Sequence, residues 1–280
     1  MTGTCRVGNL SIGGESPLTV IAGPCVLEDA ATNDQIAQHL RETCRGLGLS
    51  FIFKASFDKA NRSSGRSPRG PGLEDGLQEL ARLRATFDVP VTTDVHEASQ
   101  AAPVAAVVDL LQVPAFLVRQ TDLLIACAET GKPVNAKKGQ FMAPREMQHV
   151  LAKLREAGAG NILLTERGTF FGYHRLVNDF IGLGDLMELG VPVCFDITHS
   201  TQLPGGGEGV TAGRPDRAAL LARAAVAADV PAIFIECHPE PARARSDAST
   251  MQSLDAVAAI LRSVRAIHEA RRTDETSVSV

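Results

Sequence analysis

The stretch LTVIAGPCVLEDAATNDQIAQHLRETCRGLGLSFIFK, from Leu18 to Lys54, contains the unit that decides the fold. It opens with an apolar run, 18–22, continues with an amphipathic segment, 31–47, and ends with a second apolar run, 51–54. Apolar residues at three- and four-residue spacing in the middle segment predict a helix, and the short flanking runs predict buried strands. A strand, a helix and a strand in this order indicate parallel strands joined by a helical crossover.

The same alternation recurs along the rest of the chain. The predicted strands are the eight apolar runs 18–22, 51–54, 91–93, 110–113, 134–136, 162–164, 191–195 and 232–235. The amphipathic segments predict helices at 31–47, 74–86, 119–130, 144–157 and 215–228, with a last helix at 251–271. Eight such units in roughly 250 residues predict an α/β fold, a single (β/α)8 TIM barrel.

An open, doubly wound sheet is the structural alternative. Two features favour the barrel. No GxGxxG motif follows the first predicted strand, and reactive residues are spread over all the strand ends rather than gathered at one switch point.

One catalytic domain is predicted over residues 1–272. Its segment 1–14 contains apolar runs on either side of Gly8-Asn9, a two-residue hairpin signal, and we expect this β-hairpin to cap the bottom of the barrel. The glycine-rich stretch 203–215 is the expected mobile loop. Residues 273–280 are polar and without periodicity, so we expect a disordered tail.

Composition excludes several classes of partner. Across 280 residues, 28 basic and 32 acidic side chains give a net charge of −4, which does not suggest nucleic acid or an anionic membrane as a partner. The six cysteines have no CxxC spacing and are typical of reduced thiols. No apolar run approaches the roughly 18 residues of a membrane span, so we expect a cytoplasmic protein.

A titratable or reactive side chain follows nearly every predicted strand. In a parallel barrel these positions face the active site, so their chemistry predicts an enzyme. In strand order they are Cys25; Lys54, Ser56 and Lys59; Asp94 and His96; Gln112, Phe116 and Arg119; Lys137 and Lys138; Glu166 and Arg167; Asp196 and His199; Glu236, Cys237 and His238.

Two subsets of these residues separate by charge. The cationic set can hold at least two phosphate or carboxylate groups, although a solvated basic loop at 53–64 is the alternative interpretation; it comprises Lys54, Lys59, Lys137 and Arg167, with Arg62 and Arg119. The second set offers a thiolate, an imidazole and two carboxylates, namely Cys25, His199, Glu236 and Asp247. These donors suit a divalent cation and admit iron, zinc, manganese or cobalt.

Each metal candidate also has a structural interpretation, since a free cysteine is often a small buried hydrophobe. The joint placement of these residues after the first, seventh and eighth strands, which are neighbours once a barrel closes, favours the metal site. Cys5, Cys44, Cys127 and Cys194 lack such company and are predicted to be packing residues.

The motifs at the strand ends resemble those of the 3-deoxy-D-manno-octulosonate 8-phosphate synthases. The similarity covers about residues 18–251 and rests on AGPC (22–25), KASFDKANRS (54–63), TDVH (93–96), QVPAFLVRQTD (112–122), NAKK (135–138), ERG (166–168), DITH (196–199) and FIECHP (234–239). That family condenses phosphoenolpyruvate with D-arabinose 5-phosphate and water, and its product enters the inner core of lipopolysaccharide. The resemblance implies a TIM barrel, a homotetramer, and the class of the family that depends on a metal, because this class has cysteine at the position of Cys25.

The resemblance also implies roles for individual residues. The phosphoenolpyruvate-binding residues are Lys54, Ser56, Lys59, Gln112, Ala115, Lys137 and Arg167. The arabinose 5-phosphate-binding residues are Asn61, Arg62 and Ser63, with Phe116 and Arg119 reaching a neighbouring subunit's site. The catalytic residues are Lys137, Asp94, His96, His199 and Asp247.

Three alternatives stay open. The synthase of the shikimate pathway uses erythrose 4-phosphate and has the same metal set, but its loop reads Lys-Pro-Arg-Thr-Ser where this chain has KANRS at 59–63. A barrel that binds metabolites without catalysis is a remote second, and a metal-dependent aldolase is a third. Segments 205–214 and 246–250 depart in detail from the commoner glycine-rich forms of these loops.

Overall fold

A closed barrel of eight parallel strands forms the centre of the molecule. The computed structural model describes residues 3–60, 69–207 and 212–277. The barrel strands are β1 (Thr19–Gly23), β2 (Ser50–Lys54), β3 (Val91–Asp94), β4 (Leu110–Val113), β5 (Val134–Lys137), β6 (Ile162–Glu166), β7 (Val193–Asp196) and β8 (Ala232–Glu236). Neighbours in sequence are neighbours in the sheet, and β8 pairs with β1 to close it. The predicted TIM barrel is confirmed, and the open sheet is excluded.

Helices form the outer layer. They are α1 (Ala30–Gly46), α2 (Leu73–Phe87), α3 (Ala101–Val107), α4 (Thr121–Glu129), α5 (Met147–Glu156), α6 (Phe180–Met187), α7 (Ala218–Ala227) and α8 (Leu254–Ser277). The helix α1 begins where the Asp29 side chain accepts a hydrogen bond from the Thr32 backbone N–H at 3.0 Å, a standard N-terminal cap. Its residues Ile36, Leu40 and Cys44 are buried against the barrel, as the three- and four-residue spacing predicts.

The last helix differs from its prediction at both ends. It begins at Leu254 rather than at 251 and continues to Ser277 rather than ending at 271. Residues 273–277, which we expected to lack regular structure, are therefore helical, whereas 278–280 lie outside the described residues. The amphipathic pattern in the sequence ends before the backbone helix does, and sequence patterns locate helix ends poorly.

The N-terminal hairpin packs against the lower interior of the barrel. Its strands, Cys5–Val7 and Leu10–Ile12, pair antiparallel. Cys5, Val7 and Ile12 are fully buried in one cluster with inward residues of the barrel, among them Ile21, Ile52, Leu110, Leu163, Ala232 and Phe234. The hairpin therefore closes the end of the barrel at which the strands begin, as predicted.

Two short antiparallel ribbons lie in loops that follow barrel strands at the opposite end. One pairs Thr169–Phe170 with Leu176–Val177, and the other pairs Gln202–Leu203 with Ala212–Gly213. The second ribbon belongs to the stretch 203–215, whose residues 208–211 lie outside the described part of the chain, so the mobility of this loop stays a prediction. Within the described residues, no helix combines the length and the apolar character that crossing a membrane requires.

Candidate active site

The carboxyl ends of the strands bring a dense group of ionisable side chains together. Lys54 on β2, Asp94 on β3, Lys137 on β5, Asp196 on β7 and Glu236 on β8 are all buried. Each is the last residue of its strand, and parallel strands all end at the same rim of a barrel. Buried charges are expensive unless they are paired, and here each cation faces a carboxylate.

Lys54 is only 1% exposed and contacts three strand ends. Its Nζ donates to Glu236 Oε1 at 2.9 Å and to the Cys25 carbonyl oxygen at 3.1 Å, and it lies 3.9 Å from Asp94 Oδ2. Gly23, at the end of β1, allows this close packing, since a Cβ there would collide with the carbonyl oxygen of Lys54.

Asp94 is the anion of this first group. Its Oδ2 accepts a hydrogen bond from the Ser56 hydroxyl, and its Oδ1 accepts one from the Gln112 amide. Burial alone would raise the pKa of Asp94, but Lys54 and Lys59 outweigh burial and hold the pKa below its usual range. Asp94 is therefore an ionised acceptor at neutral pH.

Asp196 joins the predicted phosphate-binding lysine to the predicted metal-binding histidine. Its Oδ2 accepts from Lys137 Nζ at 2.6 Å and lies 2.7 Å from His199 Nδ1. Its Oδ1 accepts the backbone N–H groups of Thr198 at 3.0 Å and His199 at 2.9 Å. The bond to Nδ1 leaves His199 Nε2 turned toward Glu236, whose Oε2 is 3.5 Å away.

Phe234 separates the charged mouth from the apolar bottom. Lys137 Nζ lies 3.8 Å from the centre of its ring, and the His199 ring lies 5.7 Å away. The same ring belongs to the buried cluster that includes the N-terminal hairpin. Phe234 is thus the floor of the site, and its π face stabilises the ammonium above it.

Three of the four residues predicted to bind a metal converge in the structure. One ligand atom each from Cys25, Glu236 and Asp247 lies within 4.8 Å of the others. Cys25 Sγ is 2.9 Å from Asp247 Oδ2, and His199 Nε2 approaches Glu236 Oε2 from the other side. Glu236 Oε2 is buried and has no hydrogen-bond partner among the described residues, which is costly unless a ligand binds there. Cys25, Glu236 and Asp247 thus form a donor set that suits a divalent cation, and His199 lies beside Glu236, outside that group.

The acidic groups of this cluster lie close together, so a bound cation would reduce the electrostatic repulsion between them. Burial, with Asp247 and Glu236 nearby, raises the pKa of the Cys25 thiol well above its usual range. Burial acts in the same direction on Asp247, but His199 and Lys59 outweigh it and lower the pKa of that carboxyl. Asp247 is also a non-glycine residue with a φ of 51°, a left-handed conformation that aspartate tolerates better than most residues.

Arg167 lies beside the cluster of Cys25, Glu236 and Asp247 and is placed to bind an anion. Its Nη2 donates to Gln202 Oε1 at 2.6 Å, and Gln202 donates in turn to Asp247 Oδ1 at 3.0 Å. Its Nη1 is buried and has no hydrogen-bond partner in the part of the chain that the structure describes. The turn that carries it is held by Glu166 Oε1, which accepts the backbone N–H groups of Arg167 at 2.9 Å and Gly168 at 2.7 Å.

Lys59 belongs electrostatically to the same site. Burial would lower its pKa, but Cys25, Glu236, Asp94 and Asp247 together raise it above the usual range. Lys59 is therefore a cation held by the negative charges of this site, and its predicted role in phosphate binding stays a prediction.

Other predicted residues lie at the edge of the site or outside the described part of the chain. Asn61, Arg62 and Ser63 lie outside it. Phe116 is 51% exposed and Arg119 is also exposed, so both lie at the surface. Ala115 is buried at the end of β4. The His96 ring packs edge-on against Phe57, and burial lowers its pKa. Its Nδ1 is buried and has no hydrogen-bond partner among residues 3–60, 69–207 and 212–277.

From the sequence, Asp196 was predicted only to end a strand, with no role of its own. Its spacing does indicate a role, because a carboxylate three residues before a histidine can reach its Nδ1 across a tight turn, an arrangement that orients metal-binding histidines. Asn135 entered only as part of the NAKK motif at 135–138 and without a role of its own, and Thr165, which also lies inside a strand, gave no signal.

This chain is similar to known proteins over nearly all of its length. A 2-dehydro-3-deoxyphosphooctonate aldolase of Fusobacterium nucleatum is 51% identical over 257 residues, covering 92% of each chain. Proteins of the same name from Cyanothece and Geobacter are 52% and 48% identical, covering 94% and 95% of this chain and 96% and 98% of their own. The family model described as the DAHP synthetase I family matches residues 4–272, and this chain therefore belongs to that family.

Proposed function

We propose that this chain condenses phosphoenolpyruvate with D-arabinose 5-phosphate and water, giving 3-deoxy-D-manno-octulosonate 8-phosphate and inorganic phosphate. The observation that carries this proposal is the buried mouth of the barrel, where Lys54, Lys137 and Arg167 surround the cluster of Cys25, Glu236 and Asp247. A pocket of this kind suits a small ligand with several negative charges next to a cation site. The relatives are named 2-dehydro-3-deoxyphosphooctonate aldolases, and an octonate is an acid of eight carbons, like the proposed product.

Phosphoenolpyruvate binds deep in the mouth in this proposal. Its carboxylate and phosphate are neutralised by Lys54, Lys59, Lys137 and Arg167. Asp94, Asp196 and Glu166 hold Lys54, Lys137 and Arg167 in place. Because the donors are oriented before the substrate arrives, little reorganisation opposes the developing charge. The buried Arg167 Nη1 gains the partner that it lacks.

The reaction forms one carbon–carbon bond and breaks one carbon–oxygen bond. C3 of phosphoenolpyruvate attacks the aldehyde of the sugar, and water adds at C2. The tetrahedral intermediate then loses phosphate by cleavage of its C2–O bond. Asp94 and His96 lie close enough to the cationic pocket to position groups or transfer protons. The cations that bind the phosphoryl group also stabilise it as it leaves.

The metal site is part of the proposal. Cys25, His199, Glu236 and Asp247 would hold the cation, and iron, zinc, manganese and cobalt all suit this donor set. When bound, a divalent cation can polarise the aldehyde or lower the pKa of a water molecule. Asp196 supports the site by fixing which nitrogen of His199 faces the cluster.

The sugar site and the assembly are proposals that rest on the resemblance. Asn61 would bind a sugar hydroxyl, and Arg62 and Ser63 the terminal phosphate. Phe116 and Arg119 would complete the site of a neighbouring subunit in a homotetramer. A cytoplasmic location and a role in lipopolysaccharide synthesis belong to the same proposal.

Erythrose 4-phosphate as second substrate is the alternative at the level of the matched family. Phosphate release from phosphoenolpyruvate should be measured with each sugar, before and after treatment with a chelator. We expect release with arabinose 5-phosphate that is lost on chelation and restored by a divalent cation. Faster release with erythrose 4-phosphate would reverse the substrate assignment, and release that survives complete metal removal would refute the metal requirement. No release with either sugar would favour a non-catalytic barrel.

A further inference from the structure

A directional chain of hydrogen bonds runs beneath the cationic pocket across adjacent strands. The Thr165 hydroxyl on β6 donates to Asn135 Oδ1 on β5 at 2.7 Å. Asn135 Nδ2 donates to Gln112 Oε1 on β4 at 3.1 Å, and Gln112 Nε2 donates to Asp94 Oδ1 at the end of β3. Thr165 and Asn135 are fully buried, and Gln112 is 1% exposed.

The carboxylate end of this chain fixes its direction. Asp94 is ionised because neighbouring lysines lower its pKa, and a carboxylate can only accept hydrogen bonds. Gln112 must therefore turn its amide nitrogen toward Asp94 and its carbonyl toward Asn135. At the other end, the Thr165 hydroxyl supplies the hydrogen that the Asn135 carbonyl accepts.

The end at Asp94 leads directly into the pocket. The second oxygen of Asp94 accepts from Ser56 and lies 3.9 Å from Lys54 Nζ. A turn of the Gln112 amide would place its carbonyl oxygen against the carboxylate, and the resulting repulsion would displace Asp94 from Ser56 and Lys54. The orientation of the pocket thus depends on groups that lie outside it.

We propose that Thr165 and Asn135 are positioning residues, which set the orientation of the Gln112 amide and thereby fix Asp94, Ser56 and Lys54 for binding phosphoenolpyruvate. This inference deepens the proposed function and rests on it. Neither residue belongs to the predicted site, and neither ends a strand. They act on substrate only through Gln112 and Asp94.

The test compares three substitutions of buried threonines. Thr165→Val keeps the shape of the side chain but leaves Asn135 Oδ1 buried without its donor, whereas Thr165→Ser keeps the hydroxyl. Thr92→Val is the matched control, because the Thr92 hydroxyl is equally buried but donates to the Leu110 carbonyl oxygen at 2.8 Å, outside the chain. If Thr165→Val fails to fold, Thr165→Ala carries the same test.

Three measurements decide the outcome. We expect kcat/KM for phosphoenolpyruvate to fall roughly tenfold in Thr165→Val, the effect of about one misplaced buried hydrogen bond. The KM for arabinose 5-phosphate should not change, and Thr165→Ser should recover most of the loss. The side-chain amide ¹H–¹⁵N signals of Asn135 and Gln112 should shift in Thr165→Val and keep their positions in Thr92→Val.

Equal kinetic losses in Thr165→Val and Thr92→Val, or unchanged amide signals, would overturn the positioning role while leaving the proposed function intact. The proposed function fails separately, if the wild-type protein does not catalyse the condensation. In that case calorimetric binding of phosphoenolpyruvate without sugar still tests the positioning role, since weaker binding in Thr165→Val alone supports it and equal binding refutes it.

Discussion

Asp196 is a single buried carboxylate that contacts both charged groups at the mouth of the barrel. It accepts from Lys137 on the side of the anion pocket and from His199 on the side of the metal cluster. Burial would raise its pKa, but His199 and Lys137 outweigh burial and hold the pKa below the usual range. The carboxylate is thus ionised across the neutral pH range, and both partners are held in place before any ligand binds.

Replacing Lys137 with methionine should abolish turnover without unfolding the protein. The change removes a cation that lies 3.8 Å from the Phe234 ring centre and 2.6 Å from Asp196. Asp196 keeps His199 and two backbone N–H groups as partners. We expect kcat/KM to fall by roughly 10²–10³, the size of effect found when a preorganised charge-stabilising group is lost, with a circular dichroism spectrum like that of the wild type.

Lys132→Met is the matched control for this substitution. Lys132 lies just before strand β5 begins, at the end of the barrel opposite the site. Its replacement should leave turnover unchanged. A Lys137→Met protein with near-normal rate would remove Lys137 from the catalytic residues.

Metal binding should release a proton from Cys25. Burial, Asp247 and Glu236 raise the pKa of this thiol well above its usual range, so at pH 7 the metal-free protein carries the protonated form. The metal ligand is the thiolate, so binding must displace about one proton and affinity should rise as pH rises. Calorimetry of Co²⁺ or Zn²⁺ binding in buffers of different ionisation enthalpy counts the released protons.

Substitution of two cysteines separates this proton from others. Cys25→Ala should bind metal more weakly and release about one proton fewer. Cys127→Ala, which removes a buried cysteine of helix α4 outside the cluster, should bind and release as the wild type does. Equal proton release by the wild type and Cys25→Ala would exclude the thiol as a ligand.

At the scale of elements, the barrel strands could be predicted because buried parallel strands are short apolar runs between amphipathic helices. Site residues at the strand ends, such as Lys54 and Glu236, followed from the same pattern, since chemistry in a barrel collects at one rim. Asn135 and Thr165 could not be found in this way. They lie within strands, and their importance depends on hydrogen bonds between strands that are distant in sequence.

The hairpin could be predicted from the sequence, whereas the ends of helix α8 could not. The hairpin follows from two residues of turn chemistry, and its packing follows from the apolar side chains on either side. The extent of α8 did not follow, because the amphipathic pattern ends before the backbone hydrogen bonds do. Local signals therefore predict where an element forms better than where it ends.

The hairpin should contribute to stability but not to catalysis. Ile12 is fully buried between the hairpin and the barrel interior, so Ile12→Ala should lower the free energy of unfolding by about 2–5 kcal/mol. Leu10→Ala, at a partly buried position on the same strand, should cost less. Denaturant unfolding measures both. Because Phe234 separates this end from the mouth, kcat of the folded fraction should stay unchanged, and a large fall in kcat would show that the two ends are coupled.

For the molecule as a whole, the two ends of the barrel have different tasks. The lower interior is apolar from Cys5 to Phe234, whereas the mouth above Phe234 carries paired charges. Large apolar side chains are also exposed in loops that follow strands at the mouth, including Phe116, Phe141, Phe171 and Tyr173. Exposed apolar groups of this kind are typical of an interaction surface, and they suit the proposed homotetramer.

If Arg119 completes the site of a neighbouring subunit, two inactive variants should restore each other. Lys137→Met removes a residue inside its own barrel, whereas Arg119→Ala removes an exposed residue. In a mixed oligomer, a subunit with intact Lys137 can receive intact Arg119 from its Lys137→Met neighbour, so that some sites become complete. Co-expressed Lys137→Met and Arg119→Ala should therefore show more activity than the sum of the two separate proteins. Co-expressed Lys137→Met and Lys54→Met should show no such gain. Lys54 and Lys137 lie at the mouth of the same barrel, so every subunit in this mixture lacks one of the two lysines. Activity equal to the sum in the first mixture would place Arg119 in the site of its own subunit, and the exposed aromatic surface would then need another explanation.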